Sequence, residues 1–153
     1  GIGREPLPRR RIPFENLHAP GIGGASDVID TDFSLKSRLG GLYLEDERYD
    51  EAIAQFQNAR KDPKFATNAT YCIGKSFFAK GLFDLAIKEY GNAVKQISDT
   101  DSDLAKSVRY DLALAYDSKG DKDAALELLE EIMSYDINFK DVSQRVDKIR
   151  SAM

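Results

Sequence analysis

Two stretches of this chain repeat each other at a fixed offset, and a third follows more loosely. Leu39-Gly40-x-x-Tyr43, then Ala52-x-x-x-Phe56-x-x-Ala59, recurs 34 residues later as Ile73-Gly74-x-x-Phe77 and Ala86-x-x-x-Tyr90-x-x-Ala93. The third copy, Leu112-Ala113-x-x-Tyr116 with Ala125-x-x-x-Leu129-x-x-Ile132, lies 39 residues beyond the second. A unit this short cannot bury an apolar face alone and must stack on its neighbours. A period near 34 residues therefore points to a solenoid of helix pairs.

Each unit reads as two antiparallel helices joined by a short turn. In the first, Leu35, Leu39, Leu42 and Tyr43 recur at helical spacing and are expected to form its buried stripe. Glu45-Asp46-Glu47-Arg48 interrupts the pattern, which Tyr49, Ala52, Ile53, Phe56 and Ala59 resume. Asp62-Pro63 should stop the second helix, because proline disfavours helical geometry in the residue before it. Gly81 and Gly120 stand at the turns of units two and three, where a left-handed backbone costs glycine nothing.

The small residues Gly40, Gly74 and Ala113 are expected where the two helices of a pair approach closely. Ala52, Ala86 and Ala125 should face them, with Tyr43, Phe77 and Tyr116 filling the wider space alongside.

These small, aromatic and alanine positions resemble the tetratricopeptide repeat family over roughly residues 33–135. Two departures stand out. Lys36, Thr70 and Arg109 replace the usual aromatic near each unit's start, and Glu47 replaces a turn glycine. The resemblance implies an all-α fold, a right-handed superhelical solenoid of three antiparallel helix pairs over residues 33–139. Ile137, Phe139, Val142, Val146 and Ile149 then form one more apolar stripe, read as a capping helix over 140–152 that covers the last unit's bare face. The five extra residues before unit three, within Ser98–Asp103, carry alternating aspartates. A calcium loop would need glycine where Leu104 stands and glutamate where Tyr110 stands, so the stretch reads instead as a helix N-cap and acidic first turn.

Residues 1–32 differ in kind. They hold five of the eleven glycines and all but one of the five prolines, without helical period, and are expected to be irregular. Arg9, Arg10 and Arg11 precede Ile12, Phe14 and Leu17, a composition suited either to an extended partner-binding segment or to a linker. The chain starts at Gly1 rather than methionine, so a longer parent chain with an upstream region is one expectation.

Little here suggests chemistry. His18 is the single histidine and falls in the irregular stretch, leaving no material for a metal cluster or a histidine-based triad. Cys72, the single cysteine, sits within a helix as a small packing residue, and its solitude fits a reducing, cytoplasmic setting. Gly21–Ser26 resembles a phosphate loop only in its glycines, and Asn68-Ala69-Thr70 matches a glycosylation sequon only at the start of a helix. The carboxylates all read as solvent-facing. We expect neither enzyme activity nor a cofactor nor a bound metal. Residues 1–13 carry four arginines against Glu5 alone, which leaves the rest of the chain at −7 against a net −4. That balance argues against a nucleic-acid-binding face. No window approaches the apolar length that spans a membrane.

In the resembling family the first helix of each unit lines a concave groove that holds a partner peptide or helix. Carried over position by position, the groove here is lined by Arg38 from unit one, by Tyr71, Lys75 and Phe78 from unit two, and by Tyr110, Asp111, Leu114 and Asp117 from unit three. Tyr71, Phe78 and Tyr110 are aromatics beyond those the core requires and are expected to be exposed there. Family members that bind the acidic C-termini of heat-shock chaperones use a cationic clamp. The matching positions are Ser37, Gly41, Cys72, Ser107 and Asp111, with no cation among them. The reading is therefore a scaffold module within a larger assembly, binding a peptide of mixed charge. A small secretion chaperone and a regulatory domain of a larger enzyme are the alternatives. The Arg9–Leu17 segment, of similar composition, is expected to dock in this groove or in that of a neighbouring copy.

Overall fold

The computed structural model describes residues 24–153, with side chains from residue 32 onward. Among these residues the regular structure is helical: α1 Gly24–Glu45, α2 Tyr49–Ala59, α3 Pro63–Ala79, α4 Phe83–Gln96, α5 Asp103–Lys119, α6 Lys122–Tyr135 and α7 Val142–Ser151. The pairs α1/α2, α3/α4 and α5/α6 are the three units, and each second helix also packs on the first helix of the next. None of these helices is long and apolar enough to cross a membrane.

One boundary moves. α1 starts at Gly24, inside the stretch expected to be irregular. Every glycine and proline of residues 1–32 lies at or before Gly24.

The helix ends follow local chemistry. Asp62 caps α3, its side chain accepting from the Lys64 amide at 2.9 Å, with Pro63 in the first turn. Proline there gives up an N–H that the helix would leave unsatisfied anyway, so Asp62-Pro63 starts α3 rather than merely ending α2. Ser102 caps α5 by accepting from the Ala105 amide at 3.1 Å, the role expected of the acidic insert. The turns within the three pairs place matching residues at positive φ: Glu47 at 61°, Gly81 at 79° and Gly120 at 102°. Unit one thus keeps the left-handed turn without the glycine, at a strain of roughly 1–2 kcal/mol.

Packing within a pair corrects one expectation. Gly40 faces the ring of Phe56 and Gly74 the ring of Tyr90, rather than Ala52 and Ala86. A Cβ added to Gly74 would lie 2.6 Å from Tyr90 Cδ1, and one on Gly40 would lie 2.9 Å from Phe56. In unit three, Ala113 and Leu129 occupy the matching positions and share one buried cluster. The larger first residue goes with the smaller second one, as a fixed interhelical volume requires.

Between units, charge pairs recur in register. Lys80, at the end of α3, pairs with Asp50 at the start of α2. Lys119, at the end of α5, pairs with Asp84 at the start of α4, at 2.6 Å. Both pairs are largely exposed, so each adds little stability, but together they fix how successive units align. The insert before unit three is tied down by Arg109, which is buried and donates from Nη1 to the Thr100 carbonyl at 2.8 Å. At the far end, Val142, Val146 and Ile149 of α7 bury against Ala125, Leu129 and Ile132 of α6, so the cap covers the last unit.

The first unit breaks the pattern. Leu35, Leu39 and Leu42 are 53%, 38% and 61% exposed, not buried as their spacing suggested. Their counterparts Ala69, Ile73 and Ser76 in α3, and Val108, Leu112 and Ala115 in α5, are all buried. Those faces pack on the second helix of the preceding unit, and none precedes α1 among the described residues.

Candidate functional site

The first helices of neighbouring units lie side by side, α1 against α3 and α3 against α5, forming the face on which the groove residues were placed. Two of the three surplus aromatics do not project from it. Tyr71 is 8% exposed and Tyr110 7%, because each closes the seam to the next first helix. Tyr71 Oη donates to Asp111 Oδ2 at 2.5 Å, while its ring lies 5.8 Å from that of Tyr90. Tyr110 Oη donates to Asp141 at the start of α7, and Arg145 Nε donates back to Tyr110 Oη at 2.9 Å. The two tyrosines are one repeat apart, so the same tyrosine–carboxylate contact joins α3 to α5 and α5 to α7. Phe78 is half-buried, edge-on to Phe83 with ring centroids 5.2 Å apart.

The electrostatics reinforce these contacts. Burial, and then the Asp111 carboxylate, push the Tyr71 hydroxyl well above the usual phenol range, which keeps it a donor. Burial also raises Tyr110, with Asp141 adding to the effect and Arg145 opposing it. In return the Tyr110 hydroxyl holds the Asp141 carboxyl below its ordinary value. Burial raises the Cys72 thiol, and Lys75 counters this only in part, so the group stays a protonated packing residue.

The remaining candidates form the accessible surface. Arg38 and Lys75 are exposed, and Lys75 Nζ lies 4.6 Å from the centre of the Tyr71 ring. Gly41 opens on empty space at the position that Lys75 and Leu114 fill in the later units. Leu114 is half-buried and packs on the unit-three core. Asp117 is also half-buried and pairs with Lys122 at 2.8 Å. Asp111 is no simple solvent-facing carboxylate, since Tyr71 occupies one of its oxygens. The surface therefore has cations on α1 and α3 and carboxylates on α5, above a layer of buried tyrosines. Arg9, Arg10, Arg11, Ile12, Phe14 and Leu17 lie outside the described residues. Among the described residues, no group of three or more histidine, cysteine or carboxylate side chains is placed to hold a metal ion.

Sequence reasoning missed the tyrosine–carboxylate contacts and the Arg109 anchor. A signal for the first existed: Tyr71 and Tyr110 share one repeat position, and a residue demanded twice by the same packing environment is more often structural than exposed.

Stacked helix pairs with small-against-large contacts at fixed register define a helical-repeat protein. Tetratricopeptide repeat models match residues 38–102 and 107–136, and the chain belongs to that family. No curated protein matches the sequence significantly. Several solved structures share the fold. The first tetratricopeptide domain of Spaghetti (RPAP3), bound to the HSP90 peptide SRMEEVD, superposes with a TM-score of 0.70 at 15% identity, over 80% of this chain and 94% of that one. The N-terminal domain of STI-1 from C. elegans gives 0.69 at 14%, over 79% and 96%. The Yersinia enterocolitica type III secretion chaperone SycD, in complex with a peptide of the translocator YopD, gives 0.62 at 22%, over 82% and 92%.

Proposed function

We propose that this chain is a non-enzymatic protein-interaction module that holds a peptide or helix along the face of α1, α3 and α5, within a larger cytoplasmic assembly. The observation that carries this reading is the charge order on that face. Arg38 and Lys75 stand exposed on one side and the half-buried Asp111 and Asp117 on the other, across helices that lie side by side, with α3 and α5 joined by the Tyr71–Asp111 hydrogen bond. A surface already assembled before binding spares the partner part of the ordering cost. Its charge order favours a segment with acidic residues toward α1 and α3 and basic ones toward α5. A chaperone C-terminal carboxylate is not the ligand we propose. The positions that would clamp it carry no cation, and Asp111 would repel it.

Screening a peptide array against the wild type and the double variant Arg38→Glu, Lys75→Glu tests this. The expected result is that wild-type binders with an acidic half are lost from the variant. An identical binding profile would refute the groove assignment. Tyr71 and Tyr110 are unsuitable for this test because their loss loosens the fold.

The second reading is a small secretion chaperone, favoured by the likeness to SycD, whose structure holds a translocator peptide. Co-purification with a single substrate that degrades in its absence would support it over a scaffold held in a stable heteromeric complex.

A further inference from the structure

The bare leucine face of α1 needs a cover, and the matching faces of α3 and α5 show what it cannot be. There, the residues flanking Ile73 and Leu112 are Ala69 and Ser76, and Val108 and Ala115. At least one of each flanking pair is small enough to let the preceding helix approach closely. In α1 both flanking positions are leucine, Leu35 and Leu42, which hold a helix backbone farther off. A thinner, extended cover suits this face better.

We propose that residues 9–17 of this chain lie antiparallel along α1 and cover Leu35, Leu39 and Leu42, closing the solenoid at the end opposite α7. Pro13 disfavours helix in the middle of that segment and leaves it extended. The reach is sufficient. Leu35 and Leu42 stand roughly 17 Å and 27 Å along the helix from Gly24. The seven residues from Leu17 to Gly24 span up to about 23 Å, and the twelve from Ile12 up to about 40 Å.

The order of chemistry also matches. Reading backwards from Gly24, the segment offers Leu17, Phe14 and Ile12, then Arg11, Arg10 and Arg9. Reading forwards, α1 offers three leucines, then Glu45, Asp46 and Glu47 just past them, with no basic residue in its last turn. The arginines would thus meet three carboxylates and the negative end of the helix dipole.

Area favours this occupant over a second copy. The exposed parts of the three leucines amount to about one and a half side chains, on the order of 200 Å². Doubled across a two-fold axis, that is still well short of the roughly 1,200 Å² of a stable interface. A tethered segment needs far less, because its effective concentration is already in the millimolar range.

The test is a double-mutant cycle in the full chain, Phe14→Ala against Leu39→Ala, read by exchange of the α1 backbone amides. Molecular mass is measured in parallel at several concentrations. Leu39 is partly exposed and belongs to none of the buried clusters, so its replacement leaves the core intact. Each single change should speed α1 exchange several-fold, the double should add little to either, and the mass should stay that of a monomer. Additive effects would overturn the proposal. So would a dimer that Leu39→Ala dissociates, or a Phe14 coupling to Lys75 rather than to Leu39, which would place the segment in the groove.

Discussion

Adding one methyl group to Gly74 should measure how tightly a helix pair is closed. The new Cβ would sit 2.6 Å from Cδ1 and 2.7 Å from Cε1 of Tyr90, a ring that is itself buried and cannot swing aside. Overpacking of this kind costs about 1–3 kcal/mol, and the contact is close enough to call for the upper end. Replacing a mid-helix glycine by alanine returns about 1 kcal/mol of helix propensity. The net expectation for Gly74→Ala is a loss of about 2 kcal/mol, or roughly 4–8 °C in Tm for a chain of this size. Unit three contains the remedy, since Ala113 and Leu129 already share the matching positions. Tyr90→Leu alone should destabilise by opening a cavity, whereas Gly74→Ala with Tyr90→Leu should cost much less than the two singles combined. The coupling should be about 2 kcal/mol in favour of the double. Urea unfolding followed by far-UV circular dichroism gives all four corners of the cycle. An additive cycle, or a Gly74→Ala protein as stable as the wild type, would refute the packing argument.

Three further outcomes follow from single contacts. Glu47→Gly should relieve the left-handed strain at φ 61° and raise stability by about 0.5–1 kcal/mol after the greater unfolded-state freedom of glycine is subtracted; a lower Tm would contradict this. Tyr71→Phe removes the donor to Asp111 and should cost about 1–2 kcal/mol, whereas an unchanged urea midpoint would show the contact to be incidental. Asp141 has its carboxyl lowered chiefly by the Tyr110 hydroxyl, so its contribution is fully present above the unfolded-state value near 3.9 and fades as pH falls through the lower folded value. Protection of the α7 amides, taken as exchange relative to the intrinsic rate at each pH, should therefore fall more between pH 5 and pH 3 in the wild type than in Asp141→Asn, and an equal fall would rule the contact out as the cause.

The fold was legible because its determinants are local and repeated. The recurring small and aromatic positions, the turn glycines of units two and three and a capped helix start each leave a mark within one unit, and repetition multiplies it, although which partner each glycine faces did not show in the spacing. Relations between units were harder to read. The spacing of Leu35, Leu39 and Leu42 marks a helix face but does not say whether another helix covers it, and the same period describes a buried and a bare stripe. Tyr71 looked surplus because Tyr43, Phe77 and Tyr116 already supply the aromatics that the repeat core requires. Its partner Asp111 is 40 residues away, and a hydrogen bond over that distance leaves no periodic trace. Arg109 was noticed only as a departure from the family pattern. Its role emerges once the insert it anchors is placed beside it.

The tyrosine–carboxylate contacts begin only at α3. At the corresponding positions between α1 and α3 the chain has Ser37 and Cys72, which cannot make them. The outer helices of those units remain joined, Arg60 Nη1 of the segment after α2 meeting Glu89 of α4 at 3.0 Å. Mechanically the molecule is therefore a spring of unequal joints. From α3 to α7 the inner edge is pinned by these hydrogen bonds, while α1 and α3 meet there by apolar packing and their units are tied by the Arg60–Glu89 and Lys80–Asp50 pairs. Bending should concentrate there, letting unit one open or close against a ligand while the rest of the spring keeps its pitch.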